Sequence, residues 1–362
     1  MNNLQRLVEL GQSPWLDNLR RDWISDGRLA QWTEMGIRGL TSNPSIFQKA
    51  IAGSDSYDAQ FRNLIAGGMP VEDAYWELVL SDIGGALEVM RPVHDATGGT
   101  DGFVSVEVDP SLADDTAATI AAARSLHQRI GAPNVMIKIP GTEAGLPAVR
   151  QMISESRSIN VTLIFSVDRH REVMEAYLSG LEEVEGDLSH IHSVASFFVS
   201  RVDTEVDRRL EEIGTPEALA LRGRAAVAQA RDAYAAFIEV FSGERWQALA
   251  RRGAHMQRPL WASTSTKNPS YPDTLYVDRL IGPYTVNTMP DQTIEAFLDH
   301  GHPARSIDTE PVDTAEVLRS LSGVGVDMAD VAAVLERQGV ASFVKSFEDL
   351  IDTLTAKAES FS

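Results

Sequence analysis

A closed (β/α)8 TIM barrel with additional helices is the fold this sequence predicts, on three observations. Eight short apolar segments, bounded by Gly, Pro, Asn or Asp, alternate with longer stretches of helical pattern, the arithmetic of a barrel of parallel strands. Several of the segments carry a polar residue near the C-terminal end: Asp17, Asn43, Glu107, Lys138, Asn160, Ser196 and Lys267. A barrel sends all such ends to the one face on which active sites lie. Finally, 362 residues at 43% hydrophobic content, with no internal repeat and no Pro- or Ser-rich linker, fit one domain over residues 1–362. A doubly wound open sheet is the alternative, because periodicity does not report closure.

The strand candidates run in order SPWLDNL (13–19), IRGLTSNPS (37–45), GFVSVEVDP (102–110) and NVMIKIPG (134–141). INVTLIFS (159–166), HSVASFFVSRVD (192–203), PLWASTST (259–266) and LYVDRLIGPYTVNTM (275–289) complete the set. Between them, PVEDAYWELVLSDIGGALEVM (70–90) places apolar residues at three- and four-residue spacing behind a Pro and an acidic first turn. PSLADDTAATIAAARSLHQRIG (110–131) ends in basic residues and a Gly, as a helix C-terminus should, with Asp114 and Asp115 suited to its first turn. GTPEALALRGRAAVAQARDAYAAFIEVF (214–241) is Ala-rich and long enough for many turns. The length beyond a minimal barrel falls in extra helical elements at about 203–256 and a C-terminal helical cover at about 311–362. Within that cover the amphipathic stretch 330–354 predicts a pair of helices lying over the barrel.

Composition narrows the function. A net charge of −20 excludes a general binder of nucleic acid or anionic membrane, which needs a basic surface. An anionic substrate must then find a locally basic pocket in an acidic protein. The absence of cysteine excludes disulfides, thiolate catalysis and Cys-ligated metals. The first residues, MNNLQRLVELGQSPW, lack the basic and apolar regions of a secretory signal, and no apolar run reaches the length of a membrane span. The expectation is a soluble, cytoplasmic protein. His190 and His192 in SHIHS would share a face in a strand, but no third ligand is near in sequence, so no metal is expected.

Lys138 is the residue that most needs explaining. It interrupts Val-Met-Ile-Lys-Ile, which otherwise reads as buried strand. Side chains alternate along a strand, so if Val135, Ile137 and Ile139 face the outer helices, Met136 and Lys138 face the barrel interior. One reading is a buried stem whose ammonium reaches water or a carboxylate. The other is chemical: desolvation favours the free amine, which attacks a ketone and makes a Schiff base, an electron sink for breaking a C–C bond. Other strands can supply Glu107 and Asp17 nearby. GTEAG, after Lys138, lacks the Gly-Lys-Ser/Thr ending of a phosphate-binding loop and reads as a strand-to-helix turn.

IRGLTSNPSIF and VMIKIPGTEAGLPAV, within the order SNPS, VEVDP, IKIPGTEAG, NVTLIFS, SFFVSR, WASTSTKNP, resemble the signature segments of the transaldolase family. The resemblance runs from about Leu16 to Met289, and STSTKNPSYPD is similar to the family's longer bacterial subgroup. It implies a (β/α)8 barrel that uses a lysine Schiff base, with no metal and no organic cofactor. It implies transfer of a dihydroxyacetone unit from sedoheptulose 7-phosphate to glyceraldehyde 3-phosphate, giving erythrose 4-phosphate and fructose 6-phosphate in the pentose phosphate pathway. Partners are then small-molecule sugar phosphates, with the chain a monomer or homodimer.

Residue by residue, the resemblance makes Lys138 the Schiff-base lysine and Asp17 the base that takes the C4 hydroxyl proton. Read without it, Asp17 could equally cap a helix. Glu107 becomes the acid/base working through a water that Thr162 helps to hold; a lone Glu inside a strand is unusual in any case. Asn43 and Asn160 match the asparagines on the hydroxyls of the three-carbon unit, although Asn43 before Pro44 also fits plain turn chemistry. Ser196, Arg201 and Lys267 line up with the substrate-end residues, with Arg201 able to grip a phosphate with two parallel bonds and Ser196 and Ser265 able to donate hydrogen bonds. Many family members carry Arg where this chain has Lys267, and lysine supplies the charge without the planar fork. Phe198 matches the aromatic that keeps water from the covalent intermediate, favouring transfer over release of dihydroxyacetone. Competing readings are a Schiff-base fructose-6-phosphate aldolase, a non-catalytic sugar-phosphate-binding barrel and a metal-dependent aldolase.

Overall fold

In the computed structural model, which describes residues 1–309 and 314–361, eight parallel strands close into a barrel in sequence order. They are β1 (Gln12–Leu16), β2 (Gly39–Thr41), β3 (Phe103–Glu107) and β4 (Val135–Pro140), followed by β5 (Ile159–Ile164), β6 (Ser193–Phe198), β7 (Arg258–Ala262) and β8 (Thr285–Met289). The closure that periodicity left open is made by β8 on β1, in register from Gln12 opposite Thr285 to Leu16 opposite Met289. Every strand residue but Arg258 is buried, because both faces are covered, the inner by the barrel's own side chains and the outer by helices. Trp15 and Trp261 lie fully buried. A Cβ on Gly39 would sit 2.4 Å from the Trp15 indole, so glycine is required where β2 passes that ring.

Several segments are shorter or more broken than the sequence suggests. LYVDRLIGPYTVNTM holds two elements, the helix Leu275–Arg279 and β8, because the Gly-Pro pair after Ile281 ends the first before the second begins. The 110–131 helix starts at Thr116; Asp115 caps it, accepting from Ala118 N at 2.9 Å, and therefore lies just outside its first turn. The Ala-rich stretch 214–241 divides into Pro216–Leu219 and Ala225–Val240, parted by Gly223 at φ +71°. SHIHS is not strand: β6 begins at Ser193, leaving His190 exposed and His192 buried and stacked on His255 at 4.2 Å. GTEAG does turn β4 into the next helix, and a Cβ on Gly145 would collide with the Pro140 carbonyl.

At the C-terminus, the expected pair of helices is one helix of 32 residues, Met328–Glu359, preceded by Thr314–Gly323. The expected start of the cover at 311–313, and residue 362, lie outside the described residues. Gly339 does not break the long helix; it is a contact point. A Cβ there would come within 3.0 Å of Leu163 Cδ2 and 3.4 Å of Phe165 Cε2, so the missing side chain lets the helix rest on the end of β5. Asp327 caps its first turn. Phe343 and Phe347, both buried, contribute about 1.5–3 kcal/mol each to holding it down. Among the described residues, no helix is long and apolar enough to cross a membrane.

Candidate active site

The strand register brings the polar ends together. Glu107 of β3 pairs with Lys138 of β4, and Lys138 with Asn160 of β5. Lys138 is 4% exposed. Its Nζ donates to the Ser42 carbonyl at 3.0 Å and lies 3.1 Å from Glu107 Oε2. That second contact is one of charge, since neither Glu107 oxygen accepts a hydrogen bond within the described residues, and Thr162 Oγ1 is also without a partner. Burial pushes the Glu107 carboxyl above the usual range against the pull of Lys138, with Asp17 adding to the rise.

A polar chain crosses the barrel beside the lysine. Ser196 Oγ donates to Asn160 Oδ1 at 2.7 Å, and Asn160 Nδ2 donates to Ser105 Oγ at 3.0 Å. This orients the amide and leaves one Nδ2 hydrogen uncommitted. Asp17 follows β1 directly, and Thr41 Oγ1 donates to its Oδ1 at 2.7 Å. The next helix takes Arg20 as its N-cap, so Asp17 does not cap a helix. Burial raises its pKa, while Lys138, the Thr41 bond, Lys267 and Lys49 act in the other direction. Asn43 is a helix N-cap, accepting from Ile46 N at 3.0 Å. Turn chemistry and a place at the cavity thus coexist in Asn43: its Oδ1 is engaged, and its Nδ2 is free to donate.

A cavity of about 110 Å³ opens above Lys138, lined also by Asp17, Asn43, Thr162, Ser196 and Phe198. Arg201, Ser265 and Lys267 close its outer side. Glu107 and Asn160 lie against its floor through their contacts with Lys138 and Ser196. All eleven residues singled out from the sequence therefore meet at one end of the barrel. Phe198 is held by the Phe165 ring at 5.1 Å, and the Arg201 guanidinium stands 5.5 Å from its centroid.

An outer cavity of about 640 Å³ continues from this one and shares Asp17, Asn43, Arg201, Ser265 and Lys267. Lys267 Nζ donates to Ser265 Oγ at 2.7 Å. Its pKa is lowered, first by burial and then by Arg201 and Lys49. In a chain of net charge −20, four cations line this cavity: Arg20, which is paired with Asp22, and Lys49, Arg201 and Lys267, which make a site for an anion. Lys49 was not foreseen, although six residues after the N-cap Asn43 it stands on the same short helix, Pro44–Ala52. Thr41 and Phe343 were not foreseen either. Among the described residues, no group of three or more His, Cys, Asp or Glu side chains is placed to hold a metal.

The chain is similar to known proteins over nearly its whole length. The family model described as Transaldolase/Fructose-6-phosphate aldolase matches residues 14–354. A protein of Thermobifida fusca named Transaldolase is 52% identical over 354 residues, covering 96% of each chain. One of Streptomyces avermitilis named Transaldolase 1 is 50% identical over 98% of this chain and 95% of its own. A Mycolicibacterium smegmatis protein named Transaldolase is 50% identical over 99% and 98%.

Proposed function

The chain belongs to the transaldolase/fructose-6-phosphate aldolase family, and we propose that it is a transaldolase. It moves a dihydroxyacetone unit from sedoheptulose 7-phosphate to glyceraldehyde 3-phosphate, giving erythrose 4-phosphate and fructose 6-phosphate in the pentose phosphate pathway. The observation that carries this reading is Lys138: a buried lysine against a hydrogen-bond-free carboxylate, at the floor of a cavity whose mouth is ringed by cations.

The Lys138 amine attacks the donor's C2 carbonyl. Glu107, through a water held between it and Thr162, protonates the departing hydroxyl, and the carbinolamine loses water to become a Schiff base. The uncommitted oxygens of Glu107 and Thr162 support this placement. Asp17 takes the C4 hydroxyl proton; the C3–C4 bond breaks, its electron pair flows into the iminium, and the aldose leaves. The enamine that remains attacks the acceptor aldehyde, and the same steps run in reverse. Asn160 and Asn43 donate to hydroxyls of the three-carbon unit through their free amide hydrogens. Arg201, Ser265 and Lys267 take the phosphate. Phe198 keeps water from the intermediate. The chemistry draws on no cofactor and no metal, and the chain works in the cytoplasm as a monomer or homodimer.

Supplying fructose 6-phosphate with and without erythrose 4-phosphate tests the reading. A transferase makes sedoheptulose 7-phosphate far faster than it releases dihydroxyacetone. Release at an equal rate with or without acceptor identifies an aldolase instead.

A further inference from the structure

We infer that Phe343, on the C-terminal helix, roofs the covalent intermediate and with Phe198 sets how often the three-carbon unit is transferred rather than lost to water. The inference rests on the proposed function. Phe343 lines the cavity above Lys138 together with Asp17, Thr162 and Phe198. Every other lining residue belongs to a strand or to the segment directly following one. Phe343 alone comes from the far end of the chain, and its side chain is 4% exposed.

The helix that carries it is fixed along its length. Gly339, one turn earlier, sits on Leu163, whose backbone at φ +60° is in the left-handed region that a leucine rarely adopts. That distortion coincides with the shift in β5–β6 register between Val161 and Ile164, next to Thr162. Ser346 and Ser45 share a hydrogen bond at 2.7 Å, tying the helix to the one that Asn43 caps. Asp330 pairs with Arg209 at 2.7 Å, Lys357 pairs with Asp58, and the Phe347 ring meets Tyr75 edge-on at 5.4 Å. Phe198 is braced by Phe165, whose ring also lies against this helix at Gly339. An apolar ring held this firmly over a polar cavity of about 110 Å³ excludes solvent from the reacting atoms.

The step that the ring opposes is hydrolysis. The three-carbon enamine takes a proton at carbon, water adds to the resulting iminium carbon, and the C–N bond breaks. Dihydroxyacetone leaves and the Lys138 amine is restored. Transfer needs no added water at this stage, because the enamine carbon attacks the acceptor aldehyde instead. Truncation of Phe343 opens room for a few waters, at about 30 Å³ each, and so accelerates the first route selectively.

The experiment compares wild-type protein with Phe343→Ala on fructose 6-phosphate. It reads dihydroxyacetone release without acceptor, transfer to erythrose 4-phosphate, and the thermal midpoint. The release-to-transfer ratio is expected to rise about tenfold, a differential barrier of about 1.4 kcal/mol. An unchanged ratio in folded Phe343→Ala, with both rates lowered together, overturns the inference and leaves Phe343 a packing residue. If the Ala variant does not fold, Phe343→Leu keeps the apolar contact and is read in the same way. A rise of about threefold supports the inference, and the wild-type ratio overturns it. Wild-type protein that turns over no fructose 6-phosphate overturns the proposed function and this inference with it.

Discussion

Replacing Asp17 by Asn separates cleavage from Schiff-base formation. The amide keeps an oxygen where Oδ1 accepts from Thr41 at 2.7 Å, so the local bonding survives. What goes is the carboxylate that takes the C4 hydroxyl proton. Removal of a positioned general base slows a step by about 100- to 10,000-fold, and transfer should fall within that range. Lys138, Glu107 and Thr162 are untouched, so the Schiff base still forms. Borohydride reduction of Asp17→Asn in fructose 6-phosphate should therefore trap the whole six-carbon sugar phosphate on Lys138, where wild type traps the three-carbon unit. Peptide mass spectrometry distinguishes the two adducts directly. The pH dependence gives a second readout. Burial raises the Asp17 pKa, so wild-type cleavage is lost as pH falls through a value above the ordinary aspartate range. The residual activity of the variant should lack that limb. Transfer within about tenfold of wild type, or a three-carbon adduct in the variant, would refute the assignment of Asp17 as base.

Two further outcomes follow from other parts of the molecule. Arg201→Ala removes a charge-assisted bond worth about 1.5–3 kcal/mol, so KM for fructose 6-phosphate should rise about 10- to 150-fold. Cleavage of unphosphorylated fructose should stay unchanged, and an equal loss on both sugars would show that Arg201 does not bind phosphate. His170 is buried against Phe197, and burial lowers its pKa to about 4. The unfolded chain therefore takes up a proton near pH 6.5 that the folded chain refuses until about pH 4. Stability attributable to this group falls as pH drops through that window, by about 3 kcal/mol at its lower end. His170→Leu should lose less stability than wild type between pH 7 and 4.5 in denaturant titrations; parallel losses would contradict the linkage.

Residues that interrupt a pattern were the legible ones. Lys138 and Glu107 break apolar strands, and their neighbouring register follows from β3 and β4 being consecutive parallel strands. Asp17 directly follows β1 and Ser196 stands in the C-terminal half of β6, on the face that the barrel gathers. Asn160, expected near a C-terminal strand end, is instead the second residue of β5 and comes to the site through its register opposite Lys138. Closure was legible in the count of eight alternating segments and in the family resemblance but not in periodicity, because the pairing of β8 with β1 leaves no trace there. Phe343 was not legible. On an amphipathic helix an aromatic facing a cavity looks the same as one facing a core, and only the packing of Gly339 on Leu163 decides which it is. Gly339 lies inside the stretch expected to form two helices without parting it, because the helix packs closely on Leu163 there.

The central claim, that Lys138 carries the three-carbon unit, is tested most directly by borohydride trapping of the wild-type chain in fructose 6-phosphate, followed by peptide mass spectrometry. The account predicts a reduced dihydroxyacetone adduct on Lys138, drained when erythrose 4-phosphate is added before the reductant. Folded protein with no adduct on Lys138 would contradict it, and would leave the lysine as the buried partner of Glu107 in a barrel that binds sugar phosphates without transforming them.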